Sequence, residues 1–205
     1  LDASSETLLI EGDPDLKYLQ EITERYGSKE FLVLTYTPTD SMVSDTSINN
    51  LLSLKYKIQS LDWVHSVITL LDIPLLNSSD APLQERLENF KTLKDEDIDR
   101  ERGFNEILSS PVFRNFVISE DGKTSGIIVN IKKNDLIEDI ENKSKQEIEL
   151  YKDQIKRQNH KNILEIRGVI QSYKNVGKIH LGGIPMIADD MMTFIKSDII
   201  VFGLG

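Results

Sequence analysis

The apolar segment 31–38, FLVLTYTP, is followed by a helical pattern over 45–61 and by a second β-rich segment, 64–71. Its near-continuous apolarity predicts a strand that is covered on at least one face. The helix between the two strands carries an apolar stripe at three- and four-residue spacing: Ile48, Leu51, Leu54, Ile58 and Leu61. Strand, helix and strand with short joints predict a β-α-β unit, whose crossover is expected to be right-handed.

A β-hairpin is the strongest local signal in the rest of the chain. Segments 113–119 and 124–132 are rich in β-forming residues and flank the dipeptide Asp121-Gly122. Asp-Gly between two such segments favours a tight turn. The sequence therefore predicts two antiparallel strands joined at this dipeptide.

Helical patterns account for most of the remaining residues. One helix is predicted over 13–26, another over 136–173, and a last one from Pro185 onward. The polar stretch 157–162 interrupts the apolar stripe of the long helix, which is expected to break or to be solvated there. A short strand is predicted over 178–181, between the last two helices.

The order of these elements predicts the fold class. Two β-α-β units around one hairpin are typical of an α+β fold, here a two-layer α/β sandwich of ferredoxin-like type. Residues 72–111 contain three prolines and many charges, and they are interpreted as an irregular insertion with one amphipathic helix over 95–108. The whole chain, residues 1–205, is expected to form one soluble domain.

Composition excludes several classes of protein. With 24 Lys and Arg against 34 Asp and Glu, the net charge is −10, which argues against nucleic acid and anionic lipid surfaces as partners. The chain contains no cysteine, so disulfides, thiolate catalysis and cysteine-ligated metals are excluded. No segment within these limits reaches the roughly 18 consecutive apolar residues that a membrane span needs.

The sequence contains no motif that predicts catalysis, and neither a metal nor a cofactor is expected. Asp189 and Asp190 are adjacent, but neighbouring residues of a helix point about 100° apart and do not form a two-carboxylate site unaided. The three histidines, His65, His160 and His180, are too far apart in sequence to form a helical metal pair. A small stand-alone enzyme would need a convergent polar cluster, which the sequence does not reveal.

Both ends of the chain indicate a segment of a longer protein. The last seven residues, 199–205, form an uncharged apolar run, and residue 1 is Leu rather than Met. A membrane protein that is cut at the boundary between water and lipid ends in this way. We therefore expect 199–205 to begin a membrane helix of a parent protein, and this chain to be its water-exposed part.

Several segments resemble predicted exporters of the resistance–nodulation–division (RND) superfamily, in its MMPL-like branch. They occur in the family's order and span essentially the whole chain. The segments are ETLLIEGDPDL (6–16), SPVFRN (110–115) with SEDG (119–122), GGIPMIADD (182–190) and FIKSD (194–198). In the family, the last of them leads into the second membrane helix. The polar segment 135–158 has no counterpart and is interpreted as an insertion.

The resemblance implies a periplasmic or extracellular porter domain, set between the first and second membrane helices of an exporter in the cell (inner) membrane. Such domains are α/β sandwiches built from β-α-β pieces. The full transporters have two similar halves and use the proton-motive force to move hydrophobic or lipid-like molecules. The implied partners are a second porter domain and the membrane helices of the same parent chain, and a homo-oligomer of the parent is an open alternative.

Residues that contact an apolar cargo are expected where the domain meets the membrane, on the last predicted helix. Ile184, Met186, Met191 and Phe194 are interpreted as lining the substrate path. An alternative stays open at this point, a ligand-binding sensor ectodomain that is set between only two membrane spans and signals inward. Both interpretations give this chain a binding role and no chemistry of its own.

Overall fold

A computed structural model of the chain describes residues 30–78, 82, 84, 89–132 and 144–203. The predicted N-terminal helix lies outside the described residues.

Four strands form one antiparallel sheet. The strands are β1 (Phe31–Pro38), β2 (Val64–Ile68), β3 (Ser125–Ile131) and β4 (Gly177–Gly182). Their order across the sheet is β2-β3-β1-β4, so β1 and β3 are central and β2 and β4 are the edges.

Four helices accompany the sheet in the described part of the chain. They are α1 (Asp45–Gln59), α2 (Arg100–Ser109), α3 (Lys145–Ser172) and α4 (Ile184–Gly203). α1 connects β1 to β2, and α3 connects β3 to β4. A β-α-β-β-α-β order with β1 and β3 in the centre is the ferredoxin-like arrangement. The α+β class predicted from the sequence is confirmed.

The contacts of the chain group it into two compact units. Among the described residues, the first comprises 30–32, 130–132, 144–166 and 182–203, and the second comprises those within 33–129 together with 167–181. The first unit contains most of α3 and all of α4, whereas the second contains α1, α2 and most of the sheet.

Buried and partly exposed side chains alternate along β1, so the strand has one buried face and one partly exposed face. The hydroxyl oxygens of Thr37 and Thr124 are 2.8 Å apart, and the amide nitrogen of Ile131 donates to the carbonyl oxygen of Glu30 over 3.0 Å. This antiparallel register places Ile127, which is fully buried, opposite Leu34. The fully buried side chains of β1 are Leu32, Leu34 and Tyr36.

The predicted helix over 45–61 is confirmed, with a shorter C-terminal end. Ser44 is its N-cap, and the Ser44 hydroxyl accepts from the amide of Ser47 over 3.1 Å. The helix ends at Gln59, so Leu61 lies beyond it and is only half-buried. The other four members of the predicted stripe are all buried: Ile48, Leu51, Leu54 and Ile58.

Tyr36 places a hydroxyl group in the core. The side chain is fully buried, and its oxygen has no hydrogen-bond partner among the described residues. Burial raises the pKa of this hydroxyl, and the nearby side chains of Asn50 and Ser47 oppose the shift without reaching hydrogen-bonding geometry. An unsatisfied buried hydroxyl costs about 1–3 kcal/mol of stability.

Tyr36→Phe is therefore expected to raise the free energy of unfolding by about 1 kcal/mol, because it removes the unpaired oxygen and keeps the ring. Tyr56→Phe is the matched control, since Tyr56 is 62 % exposed and should leave stability unchanged. Urea denaturation of the two variants measures the difference. A loss of stability in Tyr36→Phe would mean that the hydroxyl does have a hydrogen-bond partner.

The predicted hairpin is half correct. Its turn is present, because Gly122 has a φ of 69° and the amide of Ser119 donates to the carbonyl of Thr124 over 2.9 Å. Its first strand, predicted over 113–119, is reduced to two isolated bridges, one between Ile118 and Ser125 and one between Arg114 and Ile118. The chain turns there instead, since Asn115 adopts a φ of 65° that is incompatible with an extended strand.

β2 is also shorter than the predicted segment 64–71. The Thr69 hydroxyl accepts from the amide of Leu71 over 3.1 Å, and the Thr69 amide donates to Asp72 over 2.8 Å. This capping box starts the 3-10 helix Leu70–Asp72, which ends the strand.

The insertion predicted over 72–111 contains buried side chains and a helix, as far as its residues are described. Its helix begins at Arg100 rather than at 95, because Asp99 is the N-cap and accepts from the amide of Arg102 over 3.1 Å. Asp95 instead closes a separate turn by accepting from the amide of Thr92 over 2.7 Å. The buried apolar side chains of this region are Ile73, Leu75, Leu93, Ile98 and Ile107.

Candidate functional site

The polar stretch 157–162 does not interrupt α3, which runs continuously from Lys145 to Ser172. Two of its side chains contact α4. The Asn159 amide donates to the carbonyl of Pro185 over 2.8 Å. Nδ1 of His160 lies 2.9 and 3.1 Å from the two carboxylate oxygens of Asp189. Of the two outcomes predicted for 157–162, the break is wrong, whereas solvation agrees with the exposure of Arg157, Gln158 and Lys161. Asn159 and His160 in addition join α3 to α4.

Asp189 is the buried member of the His160–Asp189 pair. Only 7 % of Asp189 is exposed, and its backbone carbonyl accepts from the hydroxyl of Thr193 over 3.0 Å. A buried carboxylate is stable only where it is paired or hydrogen-bonded, and His160 supplies that partner. The contact fixes which side of α4 faces α3.

The opposite side of α4 presents large apolar side chains to solvent. These side chains are Ile184, Ile187, Met191 and Phe194. Because successive residues of a helix advance by about 100°, the four lie within about 80° of one another and roughly opposite Asp189. Their spacing along the helix is three, four and three residues. The exposed fractions are 57 % for Ile184, 46 % for Ile187, 39 % for Met191 and 69 % for Phe194. We call this surface the α4 face.

The structure brings together three of the four residues predicted to line a substrate path. Ile184, Met191 and Phe194 all belong to the α4 face, whereas Met186 is half-buried and points between about 80° and 160° away from its members. Sequence reasoning missed Ile187 as a site residue. The signal was present, because Ile187 follows Ile184 by three residues and precedes Met191 by four.

The remaining candidate residues do not converge. His65 and His180 are exposed, on β2 and β4 respectively. The carboxylate of Asp189 is paired with His160, and Asp190 also has an interaction partner. Within the described ranges there is no group of three or more His, Asp or Glu side chains that could hold a metal ion.

A cavity lies in the other compact unit, between α2 and the segment that follows β2. The cavity has a volume of about 610 Å³, within the range of small-molecule sites. Its wall combines apolar and polar side chains, among them Pro74, Leu76, Asn105, Ile107, Ser110 and Phe113.

Glu106 holds the rim of this cavity in place. Its carboxylate accepts from the amides of Leu76 and Asn77 over 2.7 and 3.0 Å, and from the hydroxyl of Ser78 over 2.6 Å. Burial raises the pKa of Glu106, but these hydrogen bonds outweigh it and hold the pKa below its ordinary value of 4.5. Arg102 donates to the carbonyl of Asn77 over 2.7 Å. Both α2 residues therefore anchor the loop at neutral pH.

No protein-family model matches the chain, and no curated protein matches it either. None of the helices in the described part of the chain is both long and apolar enough to cross a bilayer.

Proposed function

We propose that this chain is the extracytoplasmic porter domain of a proton-driven RND-type exporter, in which it forms part of the path for hydrophobic or lipid-like molecules. In this role it binds and guides cargo and performs no chemistry. The membrane helices and the second porter domain of the same parent chain complete the path. The domain then lies on the periplasmic or extracellular side of the cell membrane.

The α4 face is the observation that carries the proposal. Four large apolar side chains on one side of one helix form a contiguous exposed surface, and such surfaces mark contact sites for apolar partners or ligands. The ferredoxin-like fold agrees with the fold that the resemblance implies. That fold serves many functions, so it supports the proposal less than the α4 face does.

Cargo contact at the α4 face has a clear physical basis. Covering an exposed Ile, Met or Phe side chain contributes about 1.5–3 kcal/mol when burial is complete. Asn159 and His160 of α3 hold the opposite side of α4, so the helix does not need to be ordered when cargo binds.

Binding of Nile red, a neutral apolar dye, tests this role of the α4 face. Phe194→Ser is expected to weaken dye binding about tenfold, because a factor of ten corresponds to about 1.4 kcal/mol of lost apolar contact. Fluorescence titration of the wild-type chain and the variant gives the two dissociation constants.

Phe116→Ser is the matched control for this titration. Phe116 is 70 % exposed and Phe194 is 69 % exposed, but Phe116 lies outside α4. The control is expected to bind the dye as the wild-type chain does. Equal binding by Phe194→Ser and wild type, or equal losses in both variants, would contradict a cargo surface on α4.

A ligand-binding sensor ectodomain is the second candidate, and the cavity beside α2 favours it. Its volume of about 610 Å³ suits one small molecule, and its mixed wall offers both hydrogen bonds and apolar contact. Saturable binding of a small polar ligand in this cavity, together with no binding of the dye at the α4 face, would favour the sensor over the exporter.

A further inference from the structure

We infer that α3 contacts the membrane surface beside α4, with Leu150 inserted into the headgroup layer of a zwitterionic bilayer. This inference deepens the proposed function and rests on it, because it takes the apolar run 199–205 as the start of a membrane helix in the parent. It concerns α3 and the bilayer, whereas the cargo role concerns the α4 face, so the two are tested by different experiments.

α4 runs alongside the first part of α3. The two helices meet at His160 and Asp189, where Nδ1 and the nearer carboxylate oxygen are 2.9 Å apart. The compact unit that contains α4 also contains α3 up to residue 166, whereas 167–172 belong to the other unit. Beyond Asp189, α4 therefore runs toward the beginning of α3, and the two helices are antiparallel.

Burial along both helices agrees with this arrangement. Half-buried side chains recur at steps of three and four residues on each helix, and such a stripe is the side along which a helix packs. They are Ile148, Tyr151 and Ile155 on α3, and Ala188, Met192 and Ile195 on α4. We call this pair of helices the α3–α4 stalk.

Helix geometry shows which residues lie at the same height along the α3–α4 stalk. Leu150 precedes His160 by ten residues, and Ile199 follows Asp189 by ten residues. Each residue of a helix advances 1.5 Å, so both lie about 15 Å from the contact between the two helices and in the same direction. Leu150 is therefore level with the first residue of the apolar run 199–205.

Leu150 has the exposure and the direction that a lipid contact needs. Its side chain is 65 % exposed. It lies about 130° around α3 from the half-buried stripe, so it points away from α4. Apolar side chains of helices at a bilayer surface are covered by the boundary between headgroups and acyl chains. The net charge of −10 favours zwitterionic lipids as the partner, because anionic lipids repel it.

A fluorescent label that responds to apolar surroundings tests the contact. The chain has no native cysteine, so Leu150→Cys carries a single NBD group. A C-terminal hexahistidine tag attaches this variant to phosphatidylcholine vesicles that contain a nickel-chelating lipid, which holds residue 205 at the bilayer as the membrane helix would in the parent. We expect the emission to shift to the blue on attachment, and doxyl-labelled lipid to quench it.

Leu164→Cys is the matched control for this measurement. Leu164 is 53 % exposed and lies on nearly the same side of α3 as Leu150, because fourteen residues complete about four turns. It is about 21 Å farther from the bilayer along the helix, so its label is expected to be quenched severalfold less. Equal quenching at the two positions, or no quenching of attached Leu150→Cys, would overturn the inference.

The labelling and dye experiments separate the two proposals. A chain that binds Nile red at the α4 face but shows no quenching at position 150 retains the proposed function and loses this inference. Quenching at position 150 without dye binding would retain the membrane contact of α3, and the cargo role of the α4 face would then be wrong.

Discussion

Replacing Gly177 with Ala is expected to lower the free energy of unfolding by about 2–3 kcal/mol, because β4 has no space for a side chain at its first residue. A Cβ atom at this position would lie 2.6 Å from the carbonyl oxygen of Thr37 and 2.9 Å from the ring of Tyr36. The first is a backbone atom of the central strand and the second belongs to a fully buried ring, so neither yields without moving β1. Urea denaturation measures the loss.

Gly168→Ala is the matched control for this prediction. Gly168 lies inside α3, and a Cβ atom there would meet no atom within 4 Å. The same substitution is expected to raise the free energy of unfolding by about 0.5–1 kcal/mol, since Ala loses less backbone entropy in a helix than Gly does. Equal effects of the two substitutions would contradict the close approach of β4 to β1.

The elements predicted correctly from the sequence are those whose signals are local. β1 has an apolar run that ends at Pro38, and α1 has a serine cap followed by a regular apolar stripe. β4 is one residue longer at each end than the predicted 178–181. Short-range sterics and hydrogen bonds determine such boundaries, so a single sequence is enough to place them.

The segment 113–119 was predicted as a strand because its composition is β-rich, but composition does not reveal backbone hydrogen bonds. The carbonyl of Phe113 accepts from the amides of Phe116 and Val117 over 3.2 and 2.8 Å, which closes the chain into turns. β3 pairs with β2 instead, as the sheet order requires. Pairing between strands so far apart in sequence has no local signal.

The candidate site was predictable in part, because the spacing of apolar residues along a helix is a local signal. The three-four-three spacing of the α4 face is present in the sequence. The candidate residues were instead chosen by their position, where the domain was expected to meet the membrane, and position did not distinguish Met186 from Ile184, Met191 and Phe194.

For 157–162 the sequence left open a break in the helix or a solvated stretch, and the helix is continuous with most of these side chains exposed. Asn159 and His160 also contact α4, which the sequence did not indicate. Their partners, Pro185 and Asp189, lie more than 20 residues later in the chain, so only the tertiary structure identifies the contact.

The ion pairs around Asp72 account for a second large effect on stability. Its carboxylate bonds to Nζ of Lys55, lies 3.3 Å from Nζ of Lys94, and accepts from the amide of Thr69 over 2.8 Å. The side chains of Lys55 and Asp72 are only 14 % and 22 % exposed. Burial raises the pKa of Asp72, but the hydrogen bonds from Lys55 and Thr69 and the charge of Lys55 outweigh it. The pKa therefore lies below its ordinary value of 3.8.

Asp72→Asn is expected to lower the free energy of unfolding at pH 7 by about 2 kcal/mol, because Lys55 then keeps a mostly buried charge without its counter-ion. The folded pKa of Asp72 lies below the unfolded one, so the carboxylate stabilises the fold above about pH 4, and this contribution is lost as the pH falls through the folded value. Denaturation at pH 7 and at pH 3 should therefore give a smaller difference between wild type and variant at the lower pH. Asp97→Asn removes an exposed ion pair with Lys91 and is expected to have no measurable effect at either pH. A difference that is the same at both pH values would mean that Asp72 stabilises the 3-10 helix through its shape and hydrogen bonds and not through its charge.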